Sequence, residues 1–250
     1  MIERKSSSEL EIMRDNANIL GSILDKIVDM VEPGVTTLEL DKYAEDLISD
    51  AGGSPAFKNY RGYPSSLCTS INEEIVHGIP SDRQVVKGDI LSLDIGIERK
   101  GFFADFATTI PVGEVNGQAE DLIQVTNDAL TVGLSQVNVG NRIGDVSHAI
   151  GSFVKDKSFY VVREFVGHGI GRDMHEDPQI PNYGDPGTGD RIQEGMVLCI
   201  EPMVKLDDES TVVLDDGWTA VPAGRELSAH FEGMVAATNS GPDVLVRGGS

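Results

Sequence analysis

The chain has 250 residues, of which 40% are apolar, and a formal net charge of −21 at pH 7. A chain of this length can bury its own core, and so acidic a surface excludes nucleic acid and anionic membranes as partners, because both repel it at long range. Two cysteines suit a reducing compartment, and neither a membrane-length apolar run nor a secretory signal is present, so we expect a cytoplasmic protein.

Two helices are predicted at the start of the chain. Capping-box patterns, in which a hydroxyl residue precedes a glutamate by three, mark both starts: Ser6 with Glu9, and Thr36 with Glu39. Apolar residues at helical spacing extend these helices over about 6–31 and 36–51. Strand-like segments then follow around Phe57, 67–71 and 75–77.

The stretch from Ile90 to Thr109 predicts a β-hairpin that contains two aspartates. Apolar residues alternate with small or polar ones up to a tight turn at Glu98–Gly101. If the turn centres just after Arg99, Asp94 and Asp105 face each other. Apolar neighbours bury both, and a buried carboxylate pair needs a proton or a cation. We therefore expect a divalent metal site, rather than two aspartates that face solvent.

The second half of the chain repeats the order of the first. Helical patterns over about 119–137 and 142–153 precede strand-like segments, as in the first half. Asp94 in LSLDIG and Glu201 in LCIEPM lie at comparable positions of the two halves. We therefore predict a single domain over residues 1–250, built from two related α+β halves at about 9–112 and 118–246.

Histidines and further acidic residues complete a candidate site. Glycines flank His168 and let its imidazole approach a ligand closely, whereas His148 lies on a helical pattern and is read as structural. Glu201 and Glu232 lie in strand-like segments. Four carboxylates and one imidazole suit Mn, Fe(II), Co or Zn, and a pair of such ions activates water and polarises a carbonyl. The predicted ligands are Asp94, Asp105, His168, Glu201 and Glu232.

Six motifs in a fixed order resemble those of the type I methionine aminopeptidases. They are VHGIP, LDIG with ADFATT following, GHGIG, MHEDPQ, GMVLCIEPM and SAHFE. The resemblance extends from about Glu9 to Val246. It implies the pita-bread fold, in which two pseudo-symmetric α+β halves, with antiparallel sheet and flanking helices, surround a dinuclear metal site.

The same resemblance implies a role for each site residue. Among the ligands, Asp94 chelates one ion, Asp105 and Glu232 bridge the two ions, and His168 and Glu201 complete the other. His77 and His175 contact the substrate and stabilise the tetrahedral intermediate, while Glu201 is a proton shuttle by its chemistry. The residues implied to build the methionine pocket are Tyr60, Tyr63, Cys68, Met174 and Trp218.

The implied activity removes the N-terminal methionine of nascent polypeptides whose second residue is small and uncharged. It implies two divalent ions, drawn from Co, Mn, Fe(II), Zn or Ni, and we expect a monomer that contacts the ribosome transiently. One alternative is a proline-directed peptidase of the same fold, but such enzymes usually carry a large domain before the catalytic one. The other is a non-catalytic peptide-binding relative, which would have lost metal ligands.

Three residues depart from the family pattern without removing a ligand. Met174 replaces a common phenylalanine, His230 replaces a glutamine and Gly233 replaces a histidine. Side chains beside metal ligands orient them, and losing one commonly costs about 10–100-fold in affinity or activity. We therefore expect Gly233→His to tighten metal binding or raise turnover, unless His230 already fills the role.

Overall fold

The computed structural model describes residues 2–247 as helices packed on antiparallel sheets. The helices of these residues are α1 (Ser7–Met30), α2 (Thr37–Asp50), α3 (Gly117–Ser135) and α4 (Ile143–Asp156), with a 3-10 turn at Tyr60–Gly62. None of these helices is long and apolar enough to cross a membrane.

The strands pair antiparallel throughout the described part of the chain, and the two longest are Ile90–Arg99 and Phe102–Pro111. Their bounds are β1 (Ser54–Pro55), β2 (Leu67–Ile71), β3 (Ile90–Arg99), β4 (Phe102–Pro111), β5 (Tyr160–Val161), β6 (Gly167–Gly169), β7 (Glu176–Ile180), β8 (Val197–Ile200), β9 (Met203–Lys205), β10 (Thr211–Val213), β11 (Ala220–Pro222), β12 (Ser228–His230), β13 (Gly233–Thr238) and β14 (Gly241–Arg247). β3 pairs with β1, β2 and β4, while β14-β13-β8-β6-β7 and β12-β9-β5 form two further sheets and β10 pairs with β11.

The predicted helix starts are confirmed by their capping hydrogen bonds. The Ser6 side chain accepts from the backbone N–H of Glu9, and the Glu9 carboxylate accepts from the backbone N–H of Ser6 at 2.8 Å. Thr36 and Glu39 make the same reciprocal pair at the start of α2. Two of the orphan N–H groups at each helix start are thus satisfied locally, which is why sequence alone located them.

Two hydrophobic cores lie on opposite faces of the central strands. One forms under α1 and α2, and the other under α3 and α4. β13 serves both, because Met234 and Ala236 enter the first core while Val235 and Ala237 enter the second. Alternate residues of a strand point to opposite faces, so one short strand joins the two halves.

The hairpin of β3 and β4 forms, but its predicted register is wrong. Asp94 pairs with Ala107, and Asp105 pairs with Gly96. The turn residues are Lys100 and Gly101, with φ values of 57° and 75°. A two-residue turn of this type needs positive φ at both positions, so glycine selects a turn one residue later than expected. The two aspartates therefore share a face as diagonal neighbours rather than facing each other directly.

Three other strand predictions, including the strand-like segment that contains Glu232, are corrected by the tertiary structure. Phe57 lies in a bend, and 75–77 makes only an isolated bridge, from Val76 to Ala220. The segment SAHFEGMVAAT is two strands in different sheets, with Phe231 and Glu232 between them. The backbone N–H of Glu232 donates to Ala107 O at 2.9 Å, which holds this crossover beside β4.

Candidate metal centre

The five predicted ligands come from both halves and line one cavity of about 590 Å³. Asp94 and Asp105 lie on β3 and β4, and His168 lies on β6. Glu201 directly follows β8, and Glu232 occupies the crossover between β12 and β13. The same cavity is also lined by all seven residues predicted to bind substrate: Tyr60, Tyr63, Cys68, His77, Met174, His175 and Trp218.

The ligand atoms form two overlapping groups that share Glu232. One combines Asp94, Asp105 and Glu232, and the other combines His168, Cys199 and Glu232; within each group the atoms lie within 4.8 Å of one another. His168 Nε2 lies 3.6 Å from Glu201 Oε1. Carboxylate oxygens, an imidazole nitrogen and a thiol sulfur at this spacing can bind divalent cations.

Buried oxygens without partners support the same interpretation. Asp94 Oδ1, Asp105 Oδ1 and Glu232 Oε1 are buried and accept no hydrogen bond. A buried polar atom without a partner is costly, and several such carboxylate oxygens converging in one place is costlier still. Cations would satisfy all three, so the residues fit the metal that their chemistry suggests.

Burial and mutual repulsion raise the pKa of the acidic ligands. Burial raises the pKa of Asp94 to about 7. Burial, followed by the negative charges of neighbouring carboxylates, raises the pKa of Asp105, Glu201 and Glu232 well above the ordinary range. Cations reverse this effect, because they stabilise the ionised carboxylates that bind them.

In the cation-free protein the raised pKa of Asp94 is expected to cost stability as the pH rises from about 4 to about 7, while the lowered pKa values of His168, His175 and His230 act in the opposite direction below about pH 6.5. A carboxyl group whose pKa is raised by folding favours the folded state fully below its unfolded pKa, and that contribution is lost as pH rises through the folded pKa. For Asp94 these limits are the ordinary value of 3.8 and about 7. Thermal unfolding in chelator, compared between the unaltered protein and Asp94→Asn, isolates this contribution: the difference in stability should shift in favour of the variant as the pH rises from about 4 to about 7.

Metal should reverse the trend in the same experiment. Ligands must release protons to bind cations, so saturating Mn²⁺ should raise the melting temperature more at about pH 7.5 than at about pH 5.5. A metal-induced increase of the same size at both pH values would contradict the assignment of raised pKa values to metal ligands.

His168 is prepared as a neutral ligand. Its Nδ1–H donates to Gly169 O at 2.9 Å, which directs Nε2 towards the cavity. Burial lowers its pKa to about 4. The flanking glycines have a different purpose from the one predicted: a Cβ at Gly167 would lie 2.4 Å from Cys199 O, and one at Gly169 would lie 2.3 Å from Asp177 O. They allow strand packing rather than ligand approach.

His175 and His77 flank the cavity. The His175 ring lies 4.3 Å from that of His168 and stacks on Tyr60, whose hydroxyl is 2.8 Å from His175 Nδ1. Burial, with the neighbouring His168 next in importance, lowers the pKa of His175 to about 3. Burial also lowers the pKa of His77, whose ring contacts Phe165 and Trp218 edge-on. Both imidazoles are therefore neutral at neutral pH.

The residues predicted to hold methionine form one apolar cluster. Tyr63, Cys68 and Met174 are buried, while Tyr60 and Trp218 pack against them. The cluster is therefore apolar, aromatic and rich in sulfur, as a thioether side chain requires.

Sequence analysis missed Phe57 and Cys199. Phe57 lines the cavity, and a Cβ at Gly96 would lie 2.9 Å from its ring, so the glycine of LDIG signals this contact. Cys199 pairs with His168 across β6 and β8, and its thiol belongs to one of the two ligand groups. Cys199 lies two residues before Glu201, and alternate residues of a strand point to the same face, so its position in the sequence could have indicated that it faces the site.

The expectation for Gly233 fails on packing. A Cβ at this position would lie 2.9 Å from Val246 O and 3.3 Å from Arg247 Cα. The obstacle is the backbone of β14, which has little room to shift, so Gly233→His should distort the sheet rather than improve the site. His230 is buried and its Nε2 has no hydrogen-bond partner, so nothing observed links it to Glu232.

Comparison with known proteins identifies the relatives of this chain. Residues 11–239 match the metallopeptidase family M24. The chain is 45% identical to a methionine aminopeptidase of Clostridium perfringens over 98% of both chains, and 44% identical to methionine aminopeptidase 1 of Bacillus subtilis over 99% of this chain and 100% of the relative. It superposes on the crystal structure of a methionine aminopeptidase from Thermotoga maritima with a TM-score of 0.96 and 41% identity, covering 98% of this chain and 99% of the other.

Proposed function

The chain belongs to metallopeptidase family M24, with the pita-bread fold and the activity of a methionine aminopeptidase, and we propose how its residues perform that reaction. The observation that carries the proposal is the shared cavity, which joins five ligand side chains to an apolar, sulfur-containing pocket. The enzyme depends on divalent metal. The proposed ligands are Asp94, Asp105, His168, Glu201 and Glu232.

We propose that the site would hold two cations, with Asp105 and Glu232 among the residues that would bind them. The overlap of the two ligand groups at Glu232 supports this number. When bound, the cations lower the pKa of water and polarise the scissile carbonyl. They can be Co, Mn, Fe(II), Zn or Ni, since oxygen-rich sites follow availability as much as affinity.

Glu201 is proposed to move the proton of the reaction. Its Oε1 lies 3.6 Å from His168 Nε2 within the cavity. An ionised carboxylate at this position can accept a proton from the attacking water and return it to the leaving amine. The same residue then serves as ligand and as general base.

His175 is proposed to stabilise the tetrahedral intermediate. A neutral imidazole has one N–H, and if the Tyr60 hydroxyl donates to Nδ1, that proton lies on Nε2. Nε2–H then donates to the developing oxyanion. His77, which also lines the cavity, is proposed to contact the peptide.

The proposed substrates are the N-termini of nascent polypeptides that begin with methionine and a small, uncharged second residue. The methionine side chain enters the cluster of Tyr63, Cys68 and Met174. The second residue of the polypeptide then lies beside the metal ligands, where the His175 and His168 rings are only 4.3 Å apart. We propose that residues 1–250 form a single domain, of which residues 1 and 248–250 lie outside the described residues. We also propose that the protein is a monomer that acts in the cytoplasm and contacts the ribosome transiently.

Peptides that differ in their first two residues test this specificity. Burying the methionine thioether supplies roughly 1.5–3 kcal/mol, so Met should be favoured over Ala at the first position by about 10–100-fold in kcat/KM. A bulky second residue displaces the scissile bond, and a 1 Å misplacement costs about 100-fold. Met-Ala-Ser should therefore be cleaved at least about 100-fold faster than Met-Phe-Ser.

The alternatives make opposite predictions in the same assay. A proline-directed peptidase would cleave Leu-Pro peptides and leave Met-Ala-Ser intact, and a peptide-binding relative would cleave neither. Protein reconstituted with each metal in turn, with metal content measured, should be assayed on both peptides. The named relatives do not favour either alternative.

A further inference from the structure

A buried ion pair lies directly beneath the turn that carries His175. Lys5 Nζ is 2.6 Å from Glu176 Oε2, and the two side chains are only 3% and 11% exposed. Glu176 immediately follows His175, whereas Lys5 lies in the segment before α1. The two residues are therefore brought together by the fold rather than by the chain.

The second oxygen of Glu176 organises the turn itself. Oε1 accepts from the backbone N–H groups of Arg172 and Asp173 at 2.8 and 3.3 Å. One carboxylate thus fixes the backbone of residues 171–175 on one side and binds Lys5 on the other. The turn has no regular secondary structure of its own, so these two bonds, with backbone bonds from Phe103 N–H to Gly171 O and from Gly171 N–H to Asp173 O, fix its path.

Lys5 is fixed as firmly as its partner. Its backbone N–H donates to Gly195 O at 2.6 Å. Its side chain packs so closely on the turn that a Cβ at Gly171 would lie 2.1 Å from Lys5 Cε. Arg172 adds a second connection to the start of α1, through a 2.9 Å contact with Glu9. The segment before α1 therefore packs against the turn of residues 171–175.

We propose that the Lys5–Glu176 pair positions His175 for catalysis. Burying a lysine is costly unless its charge is paired, and here the paired carboxylate also holds the backbone that carries the oxyanion donor. The His175 ring itself contacts Tyr60 and His168. The pair therefore fixes the backbone from which the imidazole reaches these two rings. This inference rests on the role of His175 in the proposed function.

The test compares Lys5→Met with Lys205→Met. Lys205 is the other buried lysine among residues 2–247, and it binds Asp207 and Glu209 O away from the His175 turn. We expect Lys5→Met to lower kcat by about 10–100-fold, the loss that follows a small misplacement, with KM nearly unchanged. We also expect faster hydrogen exchange at the Arg172 and Asp173 amides. Glu176→Gln, which removes the carboxylate charge at nearly constant volume, should produce both changes, and Lys205→Met should produce neither.

Two outcomes would overturn the proposal. One is that Lys5→Met and Lys205→Met lower the melting temperature alike and leave kcat and amide exchange unchanged. The other is that Glu176→Gln leaves kcat and the exchange of the Arg172 and Asp173 amides unchanged. If Lys5→Met fails to fold, Glu176→Gln replaces it with the same expectations. Amide exchange measures the order of the turn independently of turnover. If the proposed role of His175 is wrong, His175→Ala will leave kcat unaltered, and this result is distinct from a failure of the Lys5–Glu176 pair to hold the turn.

Discussion

Substituting Asp105 by Ala is expected to reduce turnover of Met-Ala-Ser by about 10³-fold or more. The substitution removes a proposed ligand of the cations, which when bound would supply several kcal/mol of transition-state stabilisation. Metal stoichiometry, measured on the dialysed protein, should fall below that of the unaltered chain. Near-normal turnover of the variant in metal-defined buffer would contradict the assignment.

Stability distinguishes this loss from unfolding. Burial, then the charges of Glu232 and Asp94, raise the pKa of Asp105, so its ionised form destabilises the cation-free protein. The isosteric Asp105→Asn should therefore be at least as stable as the unaltered protein in chelator near neutral pH, yet equally inactive with metal. Asp121→Ala, an exposed position on α3, serves as the matched control and should alter neither property.

The second large effect is expected at His175. An oxyanion donor acts mainly in the transition state, so His175→Ala should lower kcat by about 10²–10³-fold and change KM little. Steady-state kinetics with Met-Ala-Ser measure both constants. A rise in KM with unaltered kcat would instead indicate a role in ground-state binding.

Two further variants sharpen this result. His148 lies on α4, where its ring contacts Gly184 O and Ser152, and His148→Ala should leave both constants unchanged. Tyr60→Phe removes the hydroxyl beside His175 Nδ1 but keeps the stacked ring. It should lower kcat less than His175→Ala does, because only the preferred tautomer is lost. Equal effects of His148→Ala and His175→Ala would remove the reason for treating them differently.

Local chemistry made much of this protein predictable from sequence. The starts of α1 and α2 depend on hydrogen bonds between residues three apart, so Ser6 with Glu9 and Thr36 with Glu39 were sufficient to locate them. The aspartates of the hairpin and the motifs around His168 and Glu201 indicated the reaction. Each of these signals lies within a few residues of the feature that it predicts.

The details of the site were decided by contacts between distant segments. The positive φ of Lys100 and Gly101 set a register that made Asp94 and Asp105 diagonal neighbours, and a crossover between two sheets placed Glu232 beside them. β14 closes the space that a side chain at Gly233 would need. These outcomes depend on backbone atoms far away in sequence, whose positions no local pattern encodes. Sequence alone therefore determined which groups perform the chemistry, whereas long-range packing decided how they face one another, because burial and close approach exist only once the chain has folded.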